Sequence, residues 1–190
     1  MNSEILEFFA SRHNVATQDG RFRKRILFVC LGNICRSPSA QGIFSHLADK
    51  RRGQIIFEVD SAGTHDYHVG KRPDARAIQA VQKAGLDISV QRARQFTAQD
   101  FDDFDHIFVM DERNRRYLAE SCPPEHAHKI QPIIMFLDQS DLEGIPDPFR
   151  GDSQDFDDMV ELLFDVCKAI LDELERCVNL SLASLSQRGI

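Results

Sequence analysis

The sequence lacks the features that mark several specialised classes of protein. It has no run of 18 consecutive apolar residues, so it predicts no membrane-spanning helix. It has no excess of positive charge: 23 lysines and arginines against 30 aspartates and glutamates give a net charge of −7, which argues against general nucleic-acid binding. Its five cysteines show no framework spacing, which argues against a disulfide-stapled secreted domain. We therefore expect a soluble, cytoplasmic protein, with no membrane insertion and no nucleic acid among its partners.

Length and composition predict a single compact domain with a short segment at either end. At 190 residues the chain is long enough for one hydrophobic core and short for two, and it contains no internal repeat or low-complexity segment. We assign residues 1–24 to an N-terminal extension that includes a short helix or arm, 25–178 to the domain, and 179–190 to a C-terminal tail. Four basic residues near the first boundary are predicted to lie on the surface: Arg21, Arg23, Lys24 and Arg25.

Short apolar runs alternate with helical patterns along the chain. Strands are predicted at 25–29, 55–59, 105–110 and 129–135. Helices are predicted from 37 onwards, over 73–84, at 97–100, over 111–120 and from 153 onwards. Ser37 and Ser153 are the predicted caps, Pro38 the first helical residue after Ser37, and Gly85 the stop of the second helix. The alternation predicts the α/β class, as a three-layer α/β/α fold around a four-stranded, mostly parallel, twisted sheet.

The segment 30–38 reads Cys-Leu-Gly-Asn-Ile-Cys-Arg-Ser-Pro and joins the first predicted strand to the first predicted helix. In α/β folds, ligands bind at the carboxyl ends of strands, where a loop leads into a helix. The backbone N–H groups of such a loop can converge on an anion, and the helix dipole adds to the attraction. Gly32 permits close approach, Asn33 tolerates a left-handed conformation, and Arg36 can present a bidentate fork to phosphate oxygens. The segment therefore predicts a phosphate-binding loop.

The same loop places a thiol where it can act as a nucleophile. Cys30 lies in the field of Arg36 and of a helix N-terminus, a setting that favours a reactive thiolate, and the hydroxyl of Ser37 is placed to donate to the sulfur. We therefore expect Cys30 to attack a phosphorus atom while Arg36 and the loop amides hold the equatorial oxygens. The leaving oxygen needs a proton donor. The candidate is Asp147, which is stiffened by a proline on either side.

These motifs resemble those of the low-molecular-weight protein tyrosine phosphatases. The resemblance extends from about residue 25 to 177 and includes the nine-residue loop, Asp-Pro-Phe at 147–149, and shorter strings at 59–64, 92–95 and 104–111. It implies that Cys30 is the nucleophile, Arg36 the phosphate-binding arginine and Asp147 the general acid and base. It also implies that Tyr67 and Phe149 flank the substrate ring. The remaining residues of the implied phosphate loop are Leu31, Gly32, Asn33, Ile34, Cys35 and Ser37.

The resemblance implies hydrolysis of phosphotyrosine through a phosphocysteine intermediate, without a metal or other cofactor. The implied partner is a phosphotyrosine-containing protein, and a bacterial tyrosine kinase is one candidate. The chain departs from the family pattern at two places. Gln91 stands near the position where the family often has histidine, and Phe149-Arg150 follows Asp-Pro where the family often has two tyrosines. We expect Arg150 at the pocket rim to favour acidic groups beside the phosphotyrosine.

Related folds carry two other activities, which the residues favour less. Protein-arginine phosphatases typically have threonine where Ile34 stands; a β-branched apolar side chain there would crowd a guanidinium and suit an aromatic ring. Thioredoxin-coupled arsenate reductases need two further cysteines after the second helix, and the segment 85–110 has none. A catalytically silent phosphoprotein-binding module would not need Cys30, Arg36 and Asp147 together. Arginine dephosphorylation therefore remains the main alternative.

The other cysteines and the histidines carry weaker signals. The separation of Cys30 and Cys35 is not that of a zinc knuckle, and no second cysteine pair exists, so no metal site is predicted. Cys35 lies five residues after Cys30, and we hypothesise that oxidation joins the two in a transient disulfide that protects Cys30. Four histidines are predicted to be polar surface residues: His65, His68, His126 and His128.

Overall fold

A four-stranded sheet forms the centre of the computed structural model, which describes residues 21–51, 53–137 and 142–187. The strands are β1 (Phe22–Cys30), β2 (Ile55–Gly63), β3 (His106–Val109) and β4 (Ile130–Pro132), and their order in the sheet is β2-β1-β3-β4. Each neighbouring pair is parallel. The last five residues of β1 are all buried, as a central parallel strand requires.

The described residues contain five α-helices. They are α1 (Arg36–Asp49), α2 (Ala75–Lys83), α3 (Asp100–Asp103), α4 (Glu112–Ala119) and α5 (Ser153–Gln187). Single 3₁₀ segments lie at Pro124–Lys129, Ile133–Phe136 and Pro148–Arg150. None of these helices is long and apolar enough to cross a membrane.

The side chains of β1 alternate between two hydrophobic clusters, one on each face of the sheet. Ile26, Phe28 and Cys30 belong to the larger cluster, together with residues of α1, α2 and α5. Leu27 and Val29 belong to the smaller cluster, together with residues of α3 and α4. Because successive side chains of a strand point to opposite faces, helices cover the sheet on both sides. This arrangement confirms the predicted three-layer α/β/α fold.

The strand order places the candidate loop at a switch point of the sheet. The chain leaves β1 towards α1 on one face and leaves β3 towards α4 on the other, so a crevice opens between the two strand ends. Val29 of β1 is in register with Val109 of β3, and Cys30 is in register with Gly63 of β2. The residues that follow these three strands therefore meet at one edge of the sheet.

One secondary-structure element crosses each of the predicted domain boundaries. β1 begins at Phe22, three residues before the predicted start of the domain, and Lys24 is 3% exposed rather than on the surface. The strand alternation explains this, since Phe22 and Lys24 share the inward side, and burial lowers the pKa of Lys24 although Asp105 opposes the shift. At the other end, α5 continues through position 178 to Gln187. The helix or arm predicted within residues 1–20 lies outside the described residues.

Several element ends also differ from the predictions. α1 begins at Arg36, so Ser37 is already helical and does not cap it. The cap of α5 is Asp152 rather than Ser153, because its carboxylate accepts a hydrogen bond from the N–H of Gln154 at 2.7 Å. The fourth strand ends at Pro132, where proline removes the donor that a longer ladder would need. Gly85 follows the end of α2 in a left-handed conformation with φ of 80°, as the sequence predicts for a helix stop. Gly70, the other glycine with positive φ among the described residues, has φ of 81°.

Candidate active site

The loop after β1 folds around the sulfur of Cys30. Cys30 is the last residue of β1 and is 3% exposed. Its Sγ lies 3.0 Å from the hydroxyl of Ser37 and accepts a hydrogen bond from the N–H of Asn33 at 3.3 Å. Asn33 has φ of 54°, a left-handed conformation that turns the loop back towards the cysteine. The left-handed turn predicted for Asn33 is confirmed.

The side chain of Asn33 fixes the direction of the hydrogen bonds behind the loop. Its Oδ1 accepts from the backbone N–H of Arg94 at 2.9 Å, so the other end of the amide is Nδ2, a donor. Nδ2 donates to the hydroxyls of Ser37 at 2.9 Å and Ser61 at 2.8 Å. Because Ser37 accepts this hydrogen bond, its own proton is left for one of two acceptors, the sulfur of Cys30 at 3.0 Å or the carbonyl of Ala62 at 3.4 Å, and the sulfur is the nearer of the two. A hydroxyl this close to the sulfur is placed to stabilise negative charge that develops there.

Arg36 is buried between two carboxylates. Its Nη1 donates to Oδ2 of Asp111 at 2.6 Å and to the carbonyl of Ile145 at 3.1 Å. Its Nη2 donates to Oδ2 of Asp147 at 2.8 Å. Burial alone would lower the pKa of Arg36, but the negative groups of Cys30, Asp147 and Asp111 outweigh burial, and its pKa is raised. A permanent cation therefore lies beside the nucleophile candidate.

A cavity of about 130 Å³ opens over the loop. Two aromatic side chains stand at its mouth, Tyr67 with 61% exposure and Phe149 with 47%. The residues that line the cavity are Cys30, Leu31, Gly32, Ile34, Cys35, Arg36, Tyr67, His68, Asp147 and Phe149. The three residues expected to carry the chemistry and the two expected to flank the substrate are thus brought to one cavity.

A second arginine connects the segment that carries Asp147 to the phosphate loop. Asp74 donates its backbone N–H to the carbonyl of Ile34 at 2.8 Å, and its carboxylate pairs with Arg76 at 2.9 Å. The guanidinium of Arg76 then donates to the carbonyls of Phe149 and Gly151, each at 3.1 Å. The hydrogen bond from Arg76 lowers the pKa of Asp74. One Asp–Arg pair therefore bridges the two segments on which the candidate nucleophile and acid depend.

Comparison with known proteins shows the family of the chain. The sequence model of the family described as low molecular weight phosphotyrosine protein phosphatase matches residues 25–180. The chain belongs to this family. It is therefore a phosphoric monoester hydrolase of the cysteine-dependent, low-molecular-weight protein-tyrosine-phosphatase type, as its loop motif predicts.

Relatives from distant organisms cover nearly the whole of the domain. The low molecular weight protein-tyrosine-phosphatase YfkJ of Bacillus subtilis is 34% identical over 80% of this chain and 96% of its own, and its crystal structure superimposes with a TM-score of 0.74. The low molecular weight phosphotyrosine protein phosphatase of Gallus gallus is 38% identical over 79% of this chain and 95% of its own. The crystal structure of a Drosophila arginine phosphatase is 37% identical, covers 77% of this chain and 95% of its own, and has a TM-score of 0.71.

Sequence reasoning missed three residues of this phosphatase site. Asp111 was predicted only as the start of a helix, yet it pairs with Arg36 and also caps α4 by accepting from the N–H of Asn114 at 2.8 Å. His68 was predicted to be a surface residue, yet it lines the cavity beside Gly32. Arg76 lies within a predicted helix and carried no functional signal. No local pattern marks Asp111, because its place next to the loop depends on the parallel register that sets Val29 beside Val109.

The hydrogen bonds behind the phosphate loop involve Gln41 of α1 and not Gln91. The hydrogen bonds of the Asn33 side chain run to Arg94, Ser37 and Ser61, and Ser61 donates onward to Oε1 of Gln41 on α1 at 2.7 Å. Gln91 takes no part in this chain, and its Oε1 is buried without a hydrogen-bond partner among the described residues. The side-chain amide at the end of this hydrogen-bond chain is therefore that of Gln41.

The two cysteines of the loop differ in environment. Cys35 is 4% exposed, and burial, followed by the negative charge of Asp74, raises the pKa of its thiol. Cys35 is therefore a protonated neighbour of the cavity rather than a second nucleophile. Arg150, for which a role at the rim was expected, is exposed and lies beyond the last lining residue, Phe149.

Proposed function

We propose that this protein hydrolyses phosphotyrosine in protein substrates, with Cys30 as the nucleophile, Arg36 as the phosphate-binding residue and Asp147 as the general acid and base. The observation that carries the proposal is that all three line one cavity with aromatic side chains at its mouth. The depth of Cys30 and Arg36 below Tyr67 and Phe149 suits a phosphoryl group at the end of a flat ring.

In the first step, the Cys30 thiolate attacks phosphorus while the bond between phosphorus and the tyrosine oxygen breaks. The leaving oxygen takes a proton from Asp147, so the product is a neutral tyrosine and the phosphoryl group is bound to sulfur. Arg36 and the N–H groups of the loop stabilise the charge on the three equatorial oxygens. No redox change and no metal are required by this balance of atoms.

In the second step, Asp147 takes a proton from water as the water oxygen attacks phosphorus. The bond between sulfur and phosphorus breaks, and Cys30 leaves as a thiolate and releases inorganic phosphate. Ser37 favours this departure, since its hydroxyl lies 3.0 Å from the sulfur and is placed to donate to it while accepting from Asn33.

The choice between phosphotyrosine and phosphoarginine depends on the walls of the cavity. Ile34, with its β-branched apolar side chain, is among the residues that line the cavity. Tyr67 and Phe149 offer ring faces that an aromatic substrate can stack against. The similarity to an arginine phosphatase of Drosophila keeps phosphoarginine as the second candidate.

The test compares two peptides of identical sequence that carry either phosphotyrosine or phosphoarginine at one position, in the presence of a metal chelator. We expect kcat/KM for the phosphotyrosine peptide to be higher by at least about tenfold, the equivalent of about 1.4 kcal/mol. In the matched variant Ile34→Thr, the ratio of kcat/KM for the phosphotyrosine peptide to kcat/KM for the phosphoarginine peptide should be smaller, because threonine relieves the crowding around a guanidinium. A higher kcat/KM for the phosphoarginine peptide in the unaltered protein would contradict the proposal.

The proposal also bears on the partner of the protein, its location and its terminal segments. The partner is a phosphotyrosine-containing protein, and a bacterial tyrosine kinase stays one candidate. The cytoplasmic location and the assignment of residues 1–24 and 179–190 as appendages of the catalytic domain stay predictions of the sequence.

A further inference from the structure

Three aromatic rings form a continuous stack that begins at the wall of the cavity. The ring of Tyr67 stacks on His65 with a centroid distance of 5.0 Å, and His65 in turn contacts Tyr117 with a centroid distance of 5.2 Å. Tyr67 and Tyr117 are the two tyrosines of the chain. They come from different segments, since Tyr67 follows β2 and Tyr117 lies on α4. We call the set of Tyr67, His65 and Tyr117 the aromatic stack.

The aromatic stack is held in place relative to the phosphate loop. His65 donates its backbone N–H to the carbonyl of Leu31 at 3.0 Å, and its Nδ1 lies 2.8 Å from the hydroxyl of Thr64. The hydroxyl of Thr64 is itself 3.3 Å from the same Leu31 carbonyl. The central ring is thus fixed by the loop, and a surface that is rigid before binding loses little conformational entropy when a partner binds.

The outer ring is fixed from the opposite side of the site. Tyr117 belongs to α4, whose cap is Asp111, and Asp111 pairs with Arg36 at 2.6 Å. The central ring of the aromatic stack is therefore attached to the phosphate loop, and its Tyr117 end lies on a helix whose cap pairs with Arg36.

The aromatic stack is exposed although it is largely apolar. Tyr67 is 61% exposed, Tyr117 38%, and the neighbouring Leu31 40%. Exposed aromatic rings that continue from a binding cavity are a common sign of a surface used in recognition, because they supply large contact areas at low entropic cost. A peptide whose phosphorylated side chain enters between Tyr67 and Phe149 must place its flanking residues on the rim, and this stack forms the Tyr67 side of the rim.

The dimensions limit which substrate residue can reach the aromatic stack. An extended peptide rises about 3.3 Å per residue. About three of its residues therefore cover the length of the aromatic stack, whose successive centroid distances are 5.0 Å and 5.2 Å. We propose that the aromatic stack is a docking surface for an apolar side chain located within three residues of the phosphotyrosine of a protein substrate. This inference rests on the proposed function, because it requires a phosphotyrosine peptide as the substrate.

The test uses a host peptide of glycine and serine with one central phosphotyrosine, and a single leucine placed in turn at each of the three positions on either side. At one or more positions, leucine should raise kcat/KM about fivefold over the host peptide, since part of its surface leaves water. In Tyr117→Ala, the ratio of kcat/KM for the leucine peptide to kcat/KM for the host peptide should fall to about one. Tyr117→Phe, which keeps the ring, should retain the ratio, and kcat/KM for phenyl phosphate should change by less than about twofold in both variants.

Three results would overturn the docking surface. In the first, leucine has no effect on kcat/KM at any position. In the second, its effect is the same in Tyr117→Ala as in the parent protein. In the third, Tyr117→Ala lowers kcat/KM for phenyl phosphate and for the peptides by the same factor. The third result would assign the aromatic stack to positioning Tyr67 alone. Failure of the proposed function would look different, because no phosphotyrosine peptide, the host included, would then be hydrolysed.

Discussion

Arg36 and Asp147 are joined by an ion pair, with Nη2 of the arginine 2.8 Å from Oδ2 of the aspartate. The side chain of Arg36 is 4% exposed and that of Asp147 is 41% exposed, so the aspartate is the partner that can move into solvent. A phosphate dianion at the loop competes with Asp147 for the same guanidinium edge. Substrate binding therefore separates Asp147 from its ion-pair partner and leaves the carboxyl group able to reach the leaving oxygen.

Replacement of Asp147 by asparagine tests its role as the acid. We expect Asp147→Asn to lower kcat for phenyl phosphate about a hundredfold or more, because the phenolate then leaves without a proton. The loss for p-nitrophenyl phosphate should be smaller, since its leaving group needs little protonation. Steady-state rates over a series of aryl phosphates measure this difference, and Glu143→Gln, at an exposed acid of the same segment, is the matched control. An equal loss for every leaving group would argue against the assignment.

Asp111 is predicted to stabilise the buried charge of Arg36. Its side chain is 27% exposed, so Asp111→Asn should cost about 1–2 kcal/mol of unfolding free energy, less than the loss of a fully buried pair. Asparagine can still cap α4, whereas Asp111→Ala removes the cap as well and should cost about 1 kcal/mol more. Urea unfolding of the two variants measures the contribution of the ion pair and that of the helix cap to the free energy of unfolding. A stability of Asp111→Asn equal to that of the parent would show that the pair contributes nothing.

Arg76 is predicted to act through the position of Asp147. Arg76→Gln removes the guanidinium that holds the carbonyls of Phe149 and Gly151, so the acid should lose alignment. We expect kcat for phenyl phosphate to fall about threefold to tenfold, with a smaller change for p-nitrophenyl phosphate. The control is Arg72→Gln, at an exposed arginine four residues earlier. If Arg76→Gln changes KM alone, or lowers kcat for both substrates by the same factor, the residue does not position the acid.

The phosphate loop and its acid could be predicted because their signals are local. The loop spans nine consecutive residues after an apolar run, and the left-handed turn at Asn33 and the alternation of β1 follow from residue type. The flanking prolines make Asp147 a candidate within an acidic segment, and the resemblance of Asp-Pro-Phe to the family motif selects it. The loop and its turn needed only neighbours in sequence.

Contacts between distant segments could not be predicted in the same way. Asp111 and Arg36 are 75 positions apart, and Arg76 reaches Gly151 across another 75. Their proximity depends on the strand order and on the direction of the loops, which residue patterns leave open. The caps show the same limit at short range: Ser153 and Asp152 are both good caps, and only the path of the chain into α5 decides that Asp152 serves.

The pair of cysteines in the loop predicts reversible oxidation. Peroxide should convert the Cys30 thiolate to a sulfenic acid, which the thiol of Cys35 then attacks, with loss of water and formation of a disulfide. Burial raises the pKa of Cys35, so Cys35 should not be the sulfur that is oxidised first. In Cys35→Ser, recovery of activity on addition of thiol after peroxide should fall well below that of the parent protein. Cys122→Ser is the control, and equal recovery in Cys35→Ser and the parent would dismiss the disulfide.

The most direct test of the account is the identity of the residue that carries the phosphoryl group. Turnover of an aryl phosphate should be quenched in acid within the first milliseconds, and the digested protein examined by mass spectrometry. We predict a phosphoryl group on the sulfur of Cys30, with neither a phosphoryl group nor turnover in Cys30→Ser. A phosphoryl group on any other residue, or turnover that survives Cys30→Ser, would contradict the account.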